Sequence, residues 1–185
     1  MSAGKHLDSA LAAEAVAYRA LLDGADAGAD LVRARDAYLA SHAETGPASW
    51  GRLLGALKMA ILAGDGVTDV AGQVLRETAG ADSPASGYVR ALAQVALGHT
   101  PDVEVMLSAG GAFDRTGRAL AALAAGEGAG YAAALREILD DFEARDQHLT
   151  GVAFADTVAV LERLAEDRGM AVRPSSTLLH RADRG

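Results

Sequence analysis

The feature that most constrains this chain is the way its alanine- and leucine-rich runs stop. They end in "LLDG" at Gly24, "ILAG" at Gly64, "VALG" at Gly98, "LAAG" at Gly126 and "DRG" at Gly169. Within the runs, apolar residues recur every three or four positions, which is the period of a helix with one buried face. A glycine just past such a run is a helix stop, because it enters the left-handed region without a Cβ clash. The pattern predicts helices over residues 6–23, 28–42, 48–63, 67–79, 84–98, 101–109, 114–125, 128–146 and 152–168. Pro84 and Pro101 each follow a small polar residue, which places them in a first helical turn behind a cap. The connecting stretches are short, so no linker divides the chain.

β-Favouring residues are scarce and aromatics make up only 4% of the chain, so the expected class is all-α. The 185 residues suffice for one domain with a sizeable core. A single helical domain over 1–170 is expected, followed by an extended tail over 171–185 in which Leu178 and Leu179 can dock on a groove of the same or a neighbouring chain.

The formal net charge of −8 argues against a nucleic-acid binder, which needs a basic face, and against docking on an anionic membrane. Cysteine is absent, so disulfides and thiolate chemistry are excluded. The start "MSAGKHLDSALAAEAV" does not read as a secretion signal, and no apolar run reaches membrane-spanning length. A cytoplasmic location is the expectation, and the Ala/Gly/Arg/Asp bias suggests a high-GC bacterial genome.

The glycine stops are 40, 34, 28 and 43 residues apart. Helix-turn-helix repeats have a period of roughly 34 to 47 residues. The stretch "WGRLLGALKMAILAGD", with Trp50, Leu53 and Leu57, resembles the first helix of a tetratricopeptide repeat, although Leu54 stands where that repeat has a small residue. The resemblance implies stacked antiparallel helical hairpins, either as a solenoid or as a compact bundle. The segment "FEARDQHLTGVAFADTVAVLERLAEDRGMA" resembles the C-terminal end of uncharacterised actinobacterial proteins, a resemblance that implies no activity.

The same segment crowds charge at a helix end. Tyr131, Leu135, Ile138 and Phe142 share an apolar face, and Glu137, Asp141 and Arg145 form the row beside it. Asp141 and Arg145 are a favourable i, i+4 pair. Thr150 is placed to cap the next helix, whose apolar face holds Phe154, Val158, Leu161 and Ala165. A metal site could join Glu143, His148 and Asp156, but the five-residue step from Glu143 to His148 is not a ligand spacing of helical di-metal proteins, and no HExxH occurs. The segment is read as a charged helix end and a capped turn. "GEGAG" lacks the preceding strand of a dinucleotide site, the aspartates of "DGADAGAD" are not spaced as a calcium loop, and no serine sits in a GxSxG elbow. No metal, cofactor or catalytic residue is assigned.

Some polar residues break the apolar faces. Arg35 lies between Leu31 and Leu39, with His42 almost in line. Glu14 intrudes on a face of Leu7, Leu11, Tyr18, Leu21 and Leu22, and Lys58 sits in a helix that is apolar nearly all round. A buried charge is costly unless paired. One reading is an internal Glu14–Arg35 salt bridge, with Arg35 and Lys58 snorkelling to solvent. The other is a pocket lined by Glu14, Tyr18, Arg35, Tyr38, His42, Trp50 and Lys58, in which Glu14, Lys58 or His42 could act as acid or base.

Two functions follow as expectations. The first is a non-enzymatic helical-repeat protein that binds a protein or peptide, of adaptor or toxin-immunity type, with self-association also open. The alternative is a small-molecule-binding protein or enzyme using the N-terminal interhelical pocket.

Overall fold

The computed structural model describes residues 3–179, and among them nine helices and no strand. They are α1 (Ala3–Leu22), α2 (Gly28–Thr45), α3 (Trp50–Ala63), α4 (Val67–Glu77), α5 (Pro84–Ala96), α6 (Glu104–Ala109), α7 (Gly111–Ala125), α8 (Gly128–Glu143) and α9 (Asp156–Glu166). The fold is all-α, as the periodicity requires. Gly24, Gly64, Gly98, Gly126 and Gly169 all have φ between 66° and 77°, the left-handed stop their positions call for.

Consecutive helices pack on one another, α1 on α2, α2 on α3, and so on through α8. α3 is the hub, packing also on α5 and α9. Its sequence explains this role. Leu53 and the run from Ala56 to Ile61 are buried, so α3 has almost no face for water and needs neighbours all round. α9 returns across the chain to α3, α7 and α8. In an open stack each repeat touches only the next; here the α3–α9 contact closes the chain on itself.

Some boundaries differ from the sequence expectation. Pro84 does enter α5 behind Ser83, in a reciprocal capping box with Ser86. Pro101 does not start a helix, because α6 begins only at Glu104. Thr150 does not cap α9: its Oγ1 accepts the Val152 N–H, Gly151 turns the chain with φ 71°, and α9 waits until Asp156. The α8–α9 connection therefore covers residues 144–155, a length at which loops tend to be functional.

Beyond α9 the chain has no regular structure to Ser176, yet it is held down. Glu162 accepts the N–H groups of Val172 and Arg173 as well as the Tyr131 hydroxyl. The Ala155 N–H donates to the Leu178 carbonyl at 2.9 Å, and Leu179 is buried in the same chain's core. Of the tail expected over 171–185, residues 180–185 lie outside the described residues.

Candidate functional site

Glu14 is the first fixed point of the site. It is buried, and each carboxylate oxygen accepts one phenol: Tyr18 donates to Oε1 and Tyr38 to Oε2, both at 2.5 Å. Tyr18 is one turn along α1, so the i, i+4 spacing brings it over Glu14. Tyr38 arrives from α2, and α3 can cross it only because residue 55 is glycine. A Cβ on Gly55 would lie 2.8 Å from the Tyr38 ring. Burial raises the Glu14 pKa; the two phenols and Lys58 offset part of that rise, and Asp156 adds to it. Burial and the neighbouring carboxylates also hold Tyr18 and Tyr38 in the neutral form, their pKa values well above the ordinary value.

Lys58 is the second. It does not snorkel: only 8% of the residue is exposed. Its Nζ donates to Asp156 Oδ2 at 2.6 Å and to Thr157 Oγ1 at 3.0 Å, both at the start of α9, and lies 5.7 Å from the centre of the Tyr88 ring. Burial opposes the ammonium, but Asp156, Tyr88 and Glu14 together raise its pKa above the ordinary value. The lysine is therefore charged.

These groups face a cavity of about 300 Å³. Its apolar walls include Phe113, Ile138, Phe142, Val152 and Phe154, and the Phe154 ring lies 4.4 Å from that of Tyr18. The 144–155 loop forms one side of the cavity through Arg145 to Phe154, and the start of α7 supplies Ala112 and Arg115. Arg115 and Arg145 both donate to Asp141, at 2.8 and 2.5 Å on different oxygens. Arg145 also lies 3.8 Å over the Phe142 ring, and His148 stacks on the same ring at 6.3 Å. The charged helix end thus pairs Asp141 with Arg145 as its spacing predicts, but it is also part of the cavity wall. Of the three residues weighed as metal ligands, Glu143 binds Arg136 and Ser176, His148 stacks on Phe142, and Asp156 binds Lys58.

The structure divides the seven residues expected to line one pocket. Glu14, Tyr18 and Lys58 line the cavity. Tyr38 reaches Glu14 from behind and, with Trp50, lines a separate shallow groove that also holds Leu7, Leu11 and Ser49. Arg35 and His42 line neither. Arg35 does not pair with Glu14; it binds Asp36, and the carbonyl and carboxylate of Asp65 in the α3–α4 turn. His42 is buried between Ser49 Oγ (2.7 Å) and Glu77 Oε2 (2.5 Å), tying α2 to the start of α3 and the end of α4. Tyr88, Arg115, Asp141 and Thr157 were not expected to line a pocket. They lie on α5, α7, α8 and α9, and no local spacing links them to Glu14 or Lys58.

No family model, curated protein or solved structure matches this chain. The chemistry of the site is read from its own geometry.

Proposed function

We propose that this chain is a small-molecule-binding protein whose site is the cavity between Glu14, Lys58 and the 144–155 loop. One observation carries the reading. The buried Lys58, its partly buried partner Asp156 and the buried Glu14 carboxylate, from three separate helices, converge on one cavity with aromatic and aliphatic walls. A few oriented polar groups in an apolar enclosure are what a small ligand requires, and about 300 Å³ is at the small end of the usual range. The same geometry favours binding over acid–base catalysis. Both Glu14 oxygens are occupied by phenols, and Lys58 is held by Asp156 and Thr157, so neither is poised to exchange a proton with a substrate.

The test uses Ala112, which is exposed at the cavity wall, so that a large side chain there blocks entry without disturbing the core. A broad panel of metabolites is screened by thermal shift against the parent and the Ala112→Trp variant. Compounds that stabilise the parent saturably and leave the variant unmoved support the reading. Equal responses from both proteins across the panel, or no response from the parent, count against it.

A second reading, binding of a protein or peptide, is supported by Leu149. This residue is 84% exposed and stands between the cavity and the groove of Leu7, Leu11 and Trp50. A partner that covers the loop should be captured from a lysate by the parent and lost with Leu149→Asp, with small-molecule binding retained. Capture unchanged by Leu149→Asp removes this support.

A further inference from the structure

We infer that the cavity takes a small oxyanion with an apolar, one-ring body, its acidic group meeting Arg115 and Arg145. The inference rests on the small-molecule reading above and adds the ligand's chemical class.

The charged groups around the cavity do not use all of their hydrogen-bonding capacity. A guanidinium has five N–H donors and an ammonium three. Arg115 uses Nη2 on Asp141 Oδ1, and Arg145 uses Nη2 on Asp141 Oδ2. Among the described residues, neither has an acceptor for its Nε–H or Nη1–H. Lys58 uses two donors, on Asp156 and Thr157, and keeps a third. Each oxygen of Glu14 already holds a phenol, and each oxygen of Asp141 already holds an arginine, which leaves these carboxylates with reduced but not exhausted capacity to accept. The arginine end of the cavity thus presents N–H donors that an acceptor-rich ligand satisfies.

The charged groups lining the cavity balance, Lys58, Arg115 and Arg145 against Glu14, Asp141 and Asp156, but they are unevenly placed. At the end built by α7, α8 and the loop two guanidiniums share the carboxylate of Asp141, with Glu137 also near Arg115. Arg115 is partly buried, so its field is screened less than that of a free surface charge, while Arg145 is exposed and held in place by Asp141 and the Phe142 ring. Arginine offers a planar fork to carboxylate or phosphate oxygens, and two forks held apart by Asp141 are oriented before any ligand arrives. Phe113, Phe142 and Phe154 all line the cavity, and this aromatic lining suits a ring.

The test measures binding of four probes by calorimetry and ligand-observed NMR: benzoate, phenyl phosphate, neutral benzamide and cationic benzylamine. At least one of the two anions should bind ten-fold or more tighter than benzamide, with benzylamine weakest. Whichever anion is tighter shows whether the group is carboxylate-like or phosphate-like. The preference should fall at least ten-fold in Arg115→Gln/Arg145→Gln, whose fold is checked by circular dichroism, and Ala112→Trp should abolish binding. If benzamide or benzylamine binds as well as both anions, and Ala112→Trp still blocks it, the anion assignment is wrong while the cavity reading stands. If none of the four binds at millimolar concentration, the anion assignment is overturned; the metabolite screen then decides the cavity reading separately. The comparison of probes on the parent protein does not depend on any variant folding.

Discussion

Lys58 and Asp156 are 98 positions apart, and their side chains meet at 2.6 Å. The contact joins the hub helix α3 to the first residue of α9, and it forms part of the cavity floor. The two partners are not equally buried: the lysine side chain is 10% exposed and the aspartate 19%. Removal of either therefore strands a charge in a different setting.

Asp156→Ala leaves a largely buried ammonium with Thr157 as its remaining hydrogen-bond partner among the described residues, and Tyr88 and Glu14 as weaker support. Breaking a buried pair in this way costs about 3 kcal/mol. Lys58→Met leaves a carboxylate that borders the cavity and can be hydrated, so the cost is about 1–2 kcal/mol. The double variant should lose clearly less than the sum of the two. Urea denaturation of the four proteins measures this. Equal losses for the two single variants, or strict additivity, would show that the pair is not buried as described.

Glu14 and Arg35 should behave as independent sites. Arg35 binds Asp36 and Asp65, whose side chains are more than half exposed, so Arg35→Ala should cost roughly 0–1 kcal/mol. Glu14→Leu removes the acceptor of two buried phenols and should cost about 1–3 kcal/mol. Their double variant should show the sum. An interaction energy well above about 0.5 kcal/mol would restore the Glu14–Arg35 pairing that the sequence suggested.

The contrast between these two cases shows what the sequence can convey. The glycine stops, the capping box at Ser83 and the Asp141–Arg145 pair are local, and each was legible because its cause lies within a few residues. Glu14 and Lys58 were legible as anomalies, since a charge on an apolar face demands an explanation wherever it occurs. Their partners were not legible. Helix order made Arg35 the obvious mate for Glu14, but α2 is rotated so that Tyr38 faces Glu14 and Arg35 faces the α3–α4 turn. Asp156 stood out only as a possible metal ligand beside Glu143 and His148, with nothing to link it to Lys58. Only the return of α9 to α3 makes it the counter-ion of Lys58. The 144–155 connection was read as a short capped turn because Thr150 has the right chemistry for a cap; the left-handed Gly151 breaks the helix before it can start there.

Gly55→Ala tests how closely α2 and α3 must approach. The new Cβ would lie 2.8 Å from the Tyr38 ring, inside contact distance, so the ring must move away from Glu14. Overpacking of this kind costs about 1–3 kcal/mol and should outweigh the gain in helix propensity from glycine to alanine, about 1 kcal/mol. The expected outcome is a net loss of stability that is smaller in a Tyr38→Leu background. A variant that melts above the parent would mean that Tyr38 is free to move and that Glu14 does not depend on it.

Acid stability should report the His42–Glu77 contact. Glu77 is partly exposed, and its pKa lies below the ordinary value of 4.5; burial opposes this, but the hydrogen bonds from His42 and Gln73 and the nearby charges of His42 and Arg76 outweigh it. The sign follows from linkage. A carboxylate whose folded pKa is depressed adds stability that is fully present above the unfolded value, and this is lost as pH falls through the folded one. Glu77→Gln should therefore be less stable than the parent at pH 6, with the gap closing as pH drops below about 4.5. The amide can still accept from a neighbour, so the difference isolates the charge rather than the shape. Denaturant midpoints for both proteins across this range decide the matter. A gap that stays constant through the acid range would mean that Glu77 is held by packing alone, and that His42 joins α2 to α4 without using the carboxylate's charge.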